Sequence, residues 1–235
     1  MVSMGCEDRN RMVSIIIPVL NEEKYIRRIQ RNLERLDGEY EVIFSDGGST
    51  DRTREFIKPP FRLISGARGR GRQMNMAADA ARGDILFFIH CDVLLKRDVL
   101  LRIPENVRTG KAAGYLKIIF DSRRILMRIC GFMSGVRARL RKIAFSDQGL
   151  MIQKDLFEKM GKMPDIPLME DYEFSVRLRK KKIPLVRIDS PILVSSRRFK
   201  KCGMLRTMWQ MQKFQFQYRM GMSAKEIAKK YGDIR

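Results

Sequence analysis

Acidic residues are scarce in this chain. Against 48 Lys and Arg, its 235 residues hold 27 Asp and Glu, a formal net charge of +21. A field of that sign draws in polyanions: nucleic acid, an anionic membrane face or phosphorylated small molecules. Charge by itself does not choose among them. Histidine is represented by His90 alone, and the four cysteines (Cys6, Cys91, Cys130, Cys202) lie far apart with no C-x-x-C pair. That argues against a zinc ribbon or a disulfide framework and suits a reducing, cytoplasmic setting. No uninterrupted apolar run reaches the ~18 residues of a transmembrane helix. The polar stretch from Met1 to Arg11 has no apolar centre of the signal-peptide kind and is expected to fray. Repeats and low-complexity segments are missing. What remains is 44% hydrophobic and 32% charged, a globular balance in a chain long enough to bury a core without crosslinks.

The first half reads as alternating strands and helices. Val13 to Pro18 is a β-branched run of the kind that forms a buried parallel strand. Between Glu22 and Leu36, residues Tyr25, Ile26, Ile29, Leu33 and Leu36 keep helical spacing. Glu41 to Ser45 is a second strand, and Gly47 to Asp51 a turn that leads to a helix near Arg52. Phe61 to Ile64 is a third strand. Arg70 to Arg82 is a helix with Gly83 at its stop, and Ile85 to Ile89 a fourth, fully apolar strand. This alternation predicts a mostly parallel sheet with right-handed crossovers, whose ligands bind beyond the carboxyl ends of the strands. Three polar clusters fall at those ends: Asn21-Glu22, Asp46-Gly47-Gly48 and His90-Cys91-Asp92.

The second half is less regular. Lys111 to Phe120 reads as a strand with Gly114 a candidate bulge, Gln148 to Ile152 as a short strand, and Pro184 to Ile188 and Ile192 to Ser195 as the last two. Helices are expected over Lys154 to Met160, Glu170 to Lys181 and Met204 to Met220. Arg124 to Phe145 forms an amphipathic basic helix: Ile125, Leu126, Ile129, Phe132, Met133, Val136, Leu140 and Ile143 share one face, ringed by arginines. Packing of that apolar face onto the protein is the expected arrangement. Contact with an anionic membrane surface is the alternative.

Six motifs in order, from residue 13 to about 200, resemble glycosyltransferase family 2. They are Ser14-Ile15-Ile16-Ile17-Pro18-Val19-Leu20-Asn21-Glu22, Ser45-Asp46-Gly47-Gly48-Ser49-Thr50-Asp51, the basic segment Arg68 to Asn75, the D-x-D-like His90-Cys91-Asp92, Glu170-Asp171 opening a helix with Arg177, and the R-W-like Arg198-Phe199. Further elements, Asp147-Gln148-Gly149, Pro167 to Asp171 and Ser195 to Arg198, are similar to a small cytosolic subgroup associated with radical-SAM enzymes and arsenosugar formation. The resemblance implies a single α/β domain of the GT-A type. Its nucleotide-binding half would span 13–95 and its acceptor half 96–203. Residues 1–12 would form a flexible N-terminus and 204–235 a helical tail. It also implies a UDP- or GDP-sugar donor, a hydroxyl acceptor and a divalent metal, Mn or Mg.

What the resemblance implies for each residue can be set beside the plainer reading. Asp46 would hold the base through ring N–H groups, with Gly47 letting the backbone approach; otherwise it caps its own turn. Pro18, Asn21, Glu22 and Arg72 would lie beside the nucleotide, although Asn21 could simply N-cap the next helix. Asp92, a hard oxygen donor, would hold the metal. His90, standing where the family has Asp, would either join it, favouring Mn²⁺, or be a satisfied strand-end histidine. Asp171 would be the base of an inverting transfer, with Glu170 beside it at a helix start. Arg70, Arg72, Arg197 and Arg198 are diphosphate candidates; Asp147 and Gln148 are acceptor-side candidates. Three rival readings stay open: a polyprenyl-phosphate sugar transferase at the membrane, a nucleotide-binding relative without activity, and a nucleic-acid-binding protein. The strand-end carboxylates oppose the last, since they would repel phosphate without metal.

Overall fold

Apolar β-branched runs build the centre of the sheet, and helices cover both its faces. The structure is a computed structural model and describes residues 11–231. Residues 1–10 of the expected fraying end, with Cys6, lie outside the described residues. Among the described residues Cys91, Cys130 and Cys202 are free thiols.

In chain order the first half runs β1 (Val13–Val19), α1 (Glu23–Leu33), β2 (Tyr40–Asp46), α2 (Thr53–Phe56), β3 (Arg62–Ser65), α3 (Arg70–Ala80) and β4 (Ile85–Phe88). The second half runs β5 (Val93–Leu95), α4 (Glu105–Arg108), β6 (Ala113–Phe120), α5 (Ile125–Arg141), β7 (Leu150–Gln153), α6 (Lys154–Lys159), α7 (Glu170–Lys180), β8 (Leu185–Val194), α8 (Arg197–Cys202), α9 (Met204–Arg219) and α10 (Ala224–Tyr231). All eight strands join one sheet in the order β3-β2-β1-β4-β7-β6-β8-β5. The first four are parallel, as their right-handed helical crossovers require. β7 runs antiparallel to β4 and β6, β8 runs parallel to β6, and β5 closes the far edge antiparallel to β8. This is the expected α/β, GT-A-like arrangement.

The two faces of β1 bury different helices, because successive side chains alternate across a strand. Ile15 and Ile17 meet Ile26, Ile29 and Leu33 of α1. Ile16 meets Met74, Ala77 and Ala78 of α3. Each fully buried aliphatic side chain contributes about 2–3 kcal/mol relative to leaving it in water. The expected tail is no free appendage. Phe214 of α9 and Ile227 of α10 form a third cluster with Leu168.

Several local expectations are corrected. β5 was not expected, for three residues are too few to show a period. The two final strands are one continuous β8. The irregularity of β6 against β8 falls between Tyr115 and Lys117, not at Gly114. Gly83 does not stop α3, whose cap is Ala81 in an extended conformation. Gly83 is there for space: a Cβ on it would lie 2.5 Å from the Met12 carbonyl oxygen and 2.8 Å from Ser14 N. The turn into β4 therefore presses directly on the start of β1. Gly83→Ala is expected to destabilise the fold by about 1–3 kcal/mol, read as a lowered denaturation midpoint; an unchanged midpoint would show that this approach relaxes freely.

Candidate functional site

The topology delivers polar groups to one edge of the sheet. The carboxyl ends of β1, β2, β4, β6 and β8 meet there, together with the residues that lead into β5 and β7. Glu22 follows β1, Asp46 ends β2, and His90 and Asp92 lie between β4 and β5. Asp147 and Gln148 sit in the helical turn Ser146–Gln148 before β7. Glu170 and Asp171 open α7, and Arg197 opens α8 just beyond β8.

At the β1/β2 end, Val19 and Asp46 stand in register. Asp46 is fully buried, and its carboxylate accepts from the backbone N–H groups of Gly48 and Ser49 and from the Ser49 hydroxyl. It thus caps its own turn, the plainer of its two readings, and this pins the loop after β2. Asn21 locks the two loops together: its backbone N–H donates to Ser49 Oγ and its Oδ1 accepts from Thr50 N–H, both at 2.9 Å. Asn21 is therefore not the N-cap of its plainer reading, a position Glu22 takes; it adopts φ 55°, a left-handed conformation that Asn tolerates. The sequence reading missed Gln73. Its Nε2 donates to the Val19 and Ser45 carbonyls at 2.8 and 2.6 Å, tying the ends of β1 and β2. A Cβ on Gly47 would sit 2.9 Å from the Gln73 amide. The signal was a Gln inside an otherwise small-residue helix face.

Arg197 organises the middle of the edge. Its Nη1 and Nη2 donate to the two Glu22 oxygens at 2.7 and 2.8 Å, its Nε pairs with Asp92 Oδ2 at 2.9 Å, and its plane lies over the Tyr25 ring. Arg198 does not take part. Neighbouring residues on a helix diverge by about 100°, so only one of the pair faces the carboxylates. Arg198 stacks on Tyr231 at 3.5 Å from the ring centre. Arg72 also points elsewhere, to an exposed pair with Asp165. Pro18 lies partly exposed in β1, opposite Ser45.

Burial governs the titration here. It pushes the Asp92 carboxyl above the usual range, Arg197 opposing and Glu22 adding to the rise. It likewise drives His90 down to about 3, helped by Arg70 and Arg197, so the imidazole is neutral. Arg70 Nε pairs with Glu170 at 2.8 Å, although neither Glu170 oxygen makes a well-directed hydrogen bond. Burial raises Glu170 as well, against Arg70. Asp171 is oriented by the backbone: Ser146 N–H donates to Oδ2 at 3.0 Å and Tyr172 N–H to Oδ1 at 2.8 Å. Asp147 is lifted to about 6 by burial first, with Asp171 and Asp92 adding and Arg137 and Arg70 opposing. Its Oδ1 has no hydrogen-bond partner. Gln148 accepts from Arg137 Nη2 at 2.6 Å. Among the described residues, no three His, Cys, Asp or Glu side chains gather closely enough to hold a metal ion by themselves.

An α/β fold of this strand order, with acids and arginines at the carboxyl edge of its strands, is of the GT-A type. Residues 14–158 match Glycosyl transferase family 2, and the chain belongs to that family. It is 28% identical over 119 residues to the uncharacterized glycosyltransferase YkcC of Bacillus subtilis, covering 46% of this chain and 37% of that protein. Among solved structures it resembles the mannosyltransferase PcManGT of Pyrobaculum calidifontis in complex with GDP-Man and Mn²⁺. That likeness has TM-score 0.67 and 20% identity, over 94% of this chain and 68% of that one. It also resembles residues 1–349 of TarS from S. aureus in complex with UDP-GlcNAc (TM-score 0.62, 18% identity, 78% of this chain and 58% of that one). The chain thus spans well under half the length of YkcC.

The Asp147 carboxyl holds its proton to higher pH in the fold than in an unfolded chain. Stability from that proton is present at low pH and is lost as pH rises between about 4 and 6. Asp147→Asn should therefore flatten the melting temperature against pH in that window and raise stability at pH 7 by up to about 3 kcal/mol. An unaltered slope would place Asp147 in contact with water.

Proposed function

We propose that the chain transfers a sugar from a UDP- or GDP-sugar to a hydroxyl acceptor by a single inverting displacement. The observation that carries this reading is the meeting at one sheet edge of groups far apart in sequence: Glu22, Asp46, His90, Asp92, Asp171 and the two arginines Arg70 and Arg197. The donors bound by PcManGT and TarS support the nucleotide-sugar class.

In this reading the Asn21 and Asp46 loops, braced by Gln73, hold the nucleoside. Asp46 would release its own turn N–H groups, in part, to accept from the base ring. Asp92 and neutral His90 would hold a divalent cation, whose other ligands are diphosphate oxygens; a shell completed by substrate fits a protein set of fewer than three donors. Bound there, the cation neutralises charge on the departing diphosphate. The imidazole favours Mn²⁺ over Mg²⁺. Arg197 and Arg70 add fixed positive charge on the same side.

Asp171 is the base. Glu170 is turned to Arg70, which leaves Asp171 as the acid of the pair available to an acceptor. One of its oxygens takes the hydroxyl proton while the acceptor oxygen attacks C1. The C1–phosphate oxygen bond breaks on the opposite face, and the diphosphate leaves with the electron pair. Asp147 and Gln148 would border the acceptor. The Asp147-Gln148-Gly149 and Pro167 to Asp171 stretches support placement in the subgroup associated with arsenosugar formation, whose acceptor chemistry remains to be assayed for this chain.

Two measurements check the reading. A nucleoside diphosphate, UDP or GDP, should raise the melting temperature further with Mn²⁺ than without it, and Asp92→Asn should abolish the metal-dependent part. No response to either nucleotide would end the reading. With a competent acceptor in hand, Asp171→Asn should lower turnover roughly a thousandfold while leaving the nucleotide-induced shift intact.

A further inference from the structure

α5 faces the wrong way for a globular helix. Its buried residues are small or single: Met127, Gly131 and Ala138. Gly131 allows the close approach, since a Cβ there would sit 3.0 Å from the Ile118 carbonyl oxygen of β6. Of the apolar face expected to pack inward, Ile143 is buried and Leu126 and Val136 are half-buried, but the other five residues point out. Ile125, Ile129, Phe132, Met133 and Leu140 are 45–73% exposed. Their i, i+4, i+7, i+8, i+15 spacing makes one stripe along a helix about 25 Å long.

α9 repeats the pattern. Leu205, Trp209, Phe216 and Met220 are 60–72% exposed and share a stripe at intervals of four, seven and four. The two helices approach at their carboxyl ends, where Arg141, Tyr218 and Arg219 line one cleft with Tyr172 and Arg179, and where the one acid, Glu173, accepts from the Tyr218 hydroxyl. Neither helix is long and apolar enough to cross a membrane.

Charge decides the occupant. From Arg123 to Phe145, and again from Ser195 to Lys225, the chain contains Lys and Arg but no Asp or Glu. In α5 the exposed Arg128 and Arg139 flank the stripe on one side. A second copy docked on this face would bring arginine against arginine, an unfavourable pairing. An extended strand of nucleic acid would be recognised by stacking aromatics interleaved with cations, and the α5 stripe is mainly aliphatic. An exposed apolar stripe edged by cations and free of acids has the chemistry of a helix lying in a lipid interface.

We infer that α5 and α9 seat the protein on an anionic lipid surface, the apolar stripes entering the headgroup boundary and the flanking arginines pairing with lipid phosphates. The seat adjoins the site edge through Arg137, which α5 contributes to the Gln148 side chain. It stands independently of the sugar-transfer reading, because lipid binding is read without turnover.

The test is co-sedimentation of the full chain with vesicles of phosphatidylglycerol and phosphatidylcholine, against phosphatidylcholine alone. Binding to the anionic vesicles alone is expected. The variant Phe132→Ser/Met133→Ser/Leu140→Ser changes exposed residues outside the site. It should keep the melting temperature and lose at least about tenfold in vesicle affinity, from the apolar area removed. Trp209 is the sole tryptophan and is exposed, so its emission should move to the blue on anionic vesicles. Failure to sediment with them overturns the inference. So does equal binding by the triple variant, which would leave charge alone at work. A wild-type chain that elutes as a dimer, and a triple variant that elutes as a monomer, would replace lipid with self-association.

Discussion

Everything at the carboxyl edge of the sheet depends on compensating carboxylates that the fold forces together. Glu22, Asp92, Asp147 and the adjacent pair Glu170 and Asp171 come from four separate parts of the chain, and several are buried. Uncompensated charge in such a place costs several kcal/mol per group. Arg197 answers for Glu22 and Asp92, and Arg70 for Glu170. Among the described residues Asp147 has no ion pair, and burial lifts its carboxyl to about 6, so it keeps its proton only below that pH. Five acids thus share two arginines, which leaves Asp147 and Asp171 without an ion pair of their own among the described residues.

The β1/β2 end of the edge is built differently. There the constraint is backbone geometry: Asp46 caps its own turn, Asn21 ties its loop to that turn, and Gln73 ties two strand ends from beneath. The acid-rich middle is held by ion pairs, the β1/β2 end by hydrogen bonds.

The sequence disclosed β1 to β4 almost residue for residue, because parallel strands buried on both faces read as unbroken apolar runs. The strand-end polar clusters followed at once from that reading. Other features were out of reach for physical reasons. β5 is three residues long and pairs with a strand about a hundred residues later. Which of Arg197 and Arg198 would face the acids depends on where α8 begins, and a boundary shift of one residue swaps them. Periodicity found the stripe on α5 but could not tell its direction. That is set by Gly131 and Ala138, small residues that carry little hydrophobic signal yet let the helix approach β6. Gln73 gave no periodic signal at all.

The guanidinium that steadies Glu22 arrives 175 residues later in the chain. The first strand's acid therefore finds its counter-ion only after the chain as far as α8 has been made. Until then the amino-terminal sheet can assemble, since β1 to β4 need only local crossovers, but its upper rim carries unmatched negative charge. Synthesis order thus separates the making of the scaffold from the completion of its chemistry, and the last strand and the turn after it act as the closing stitch.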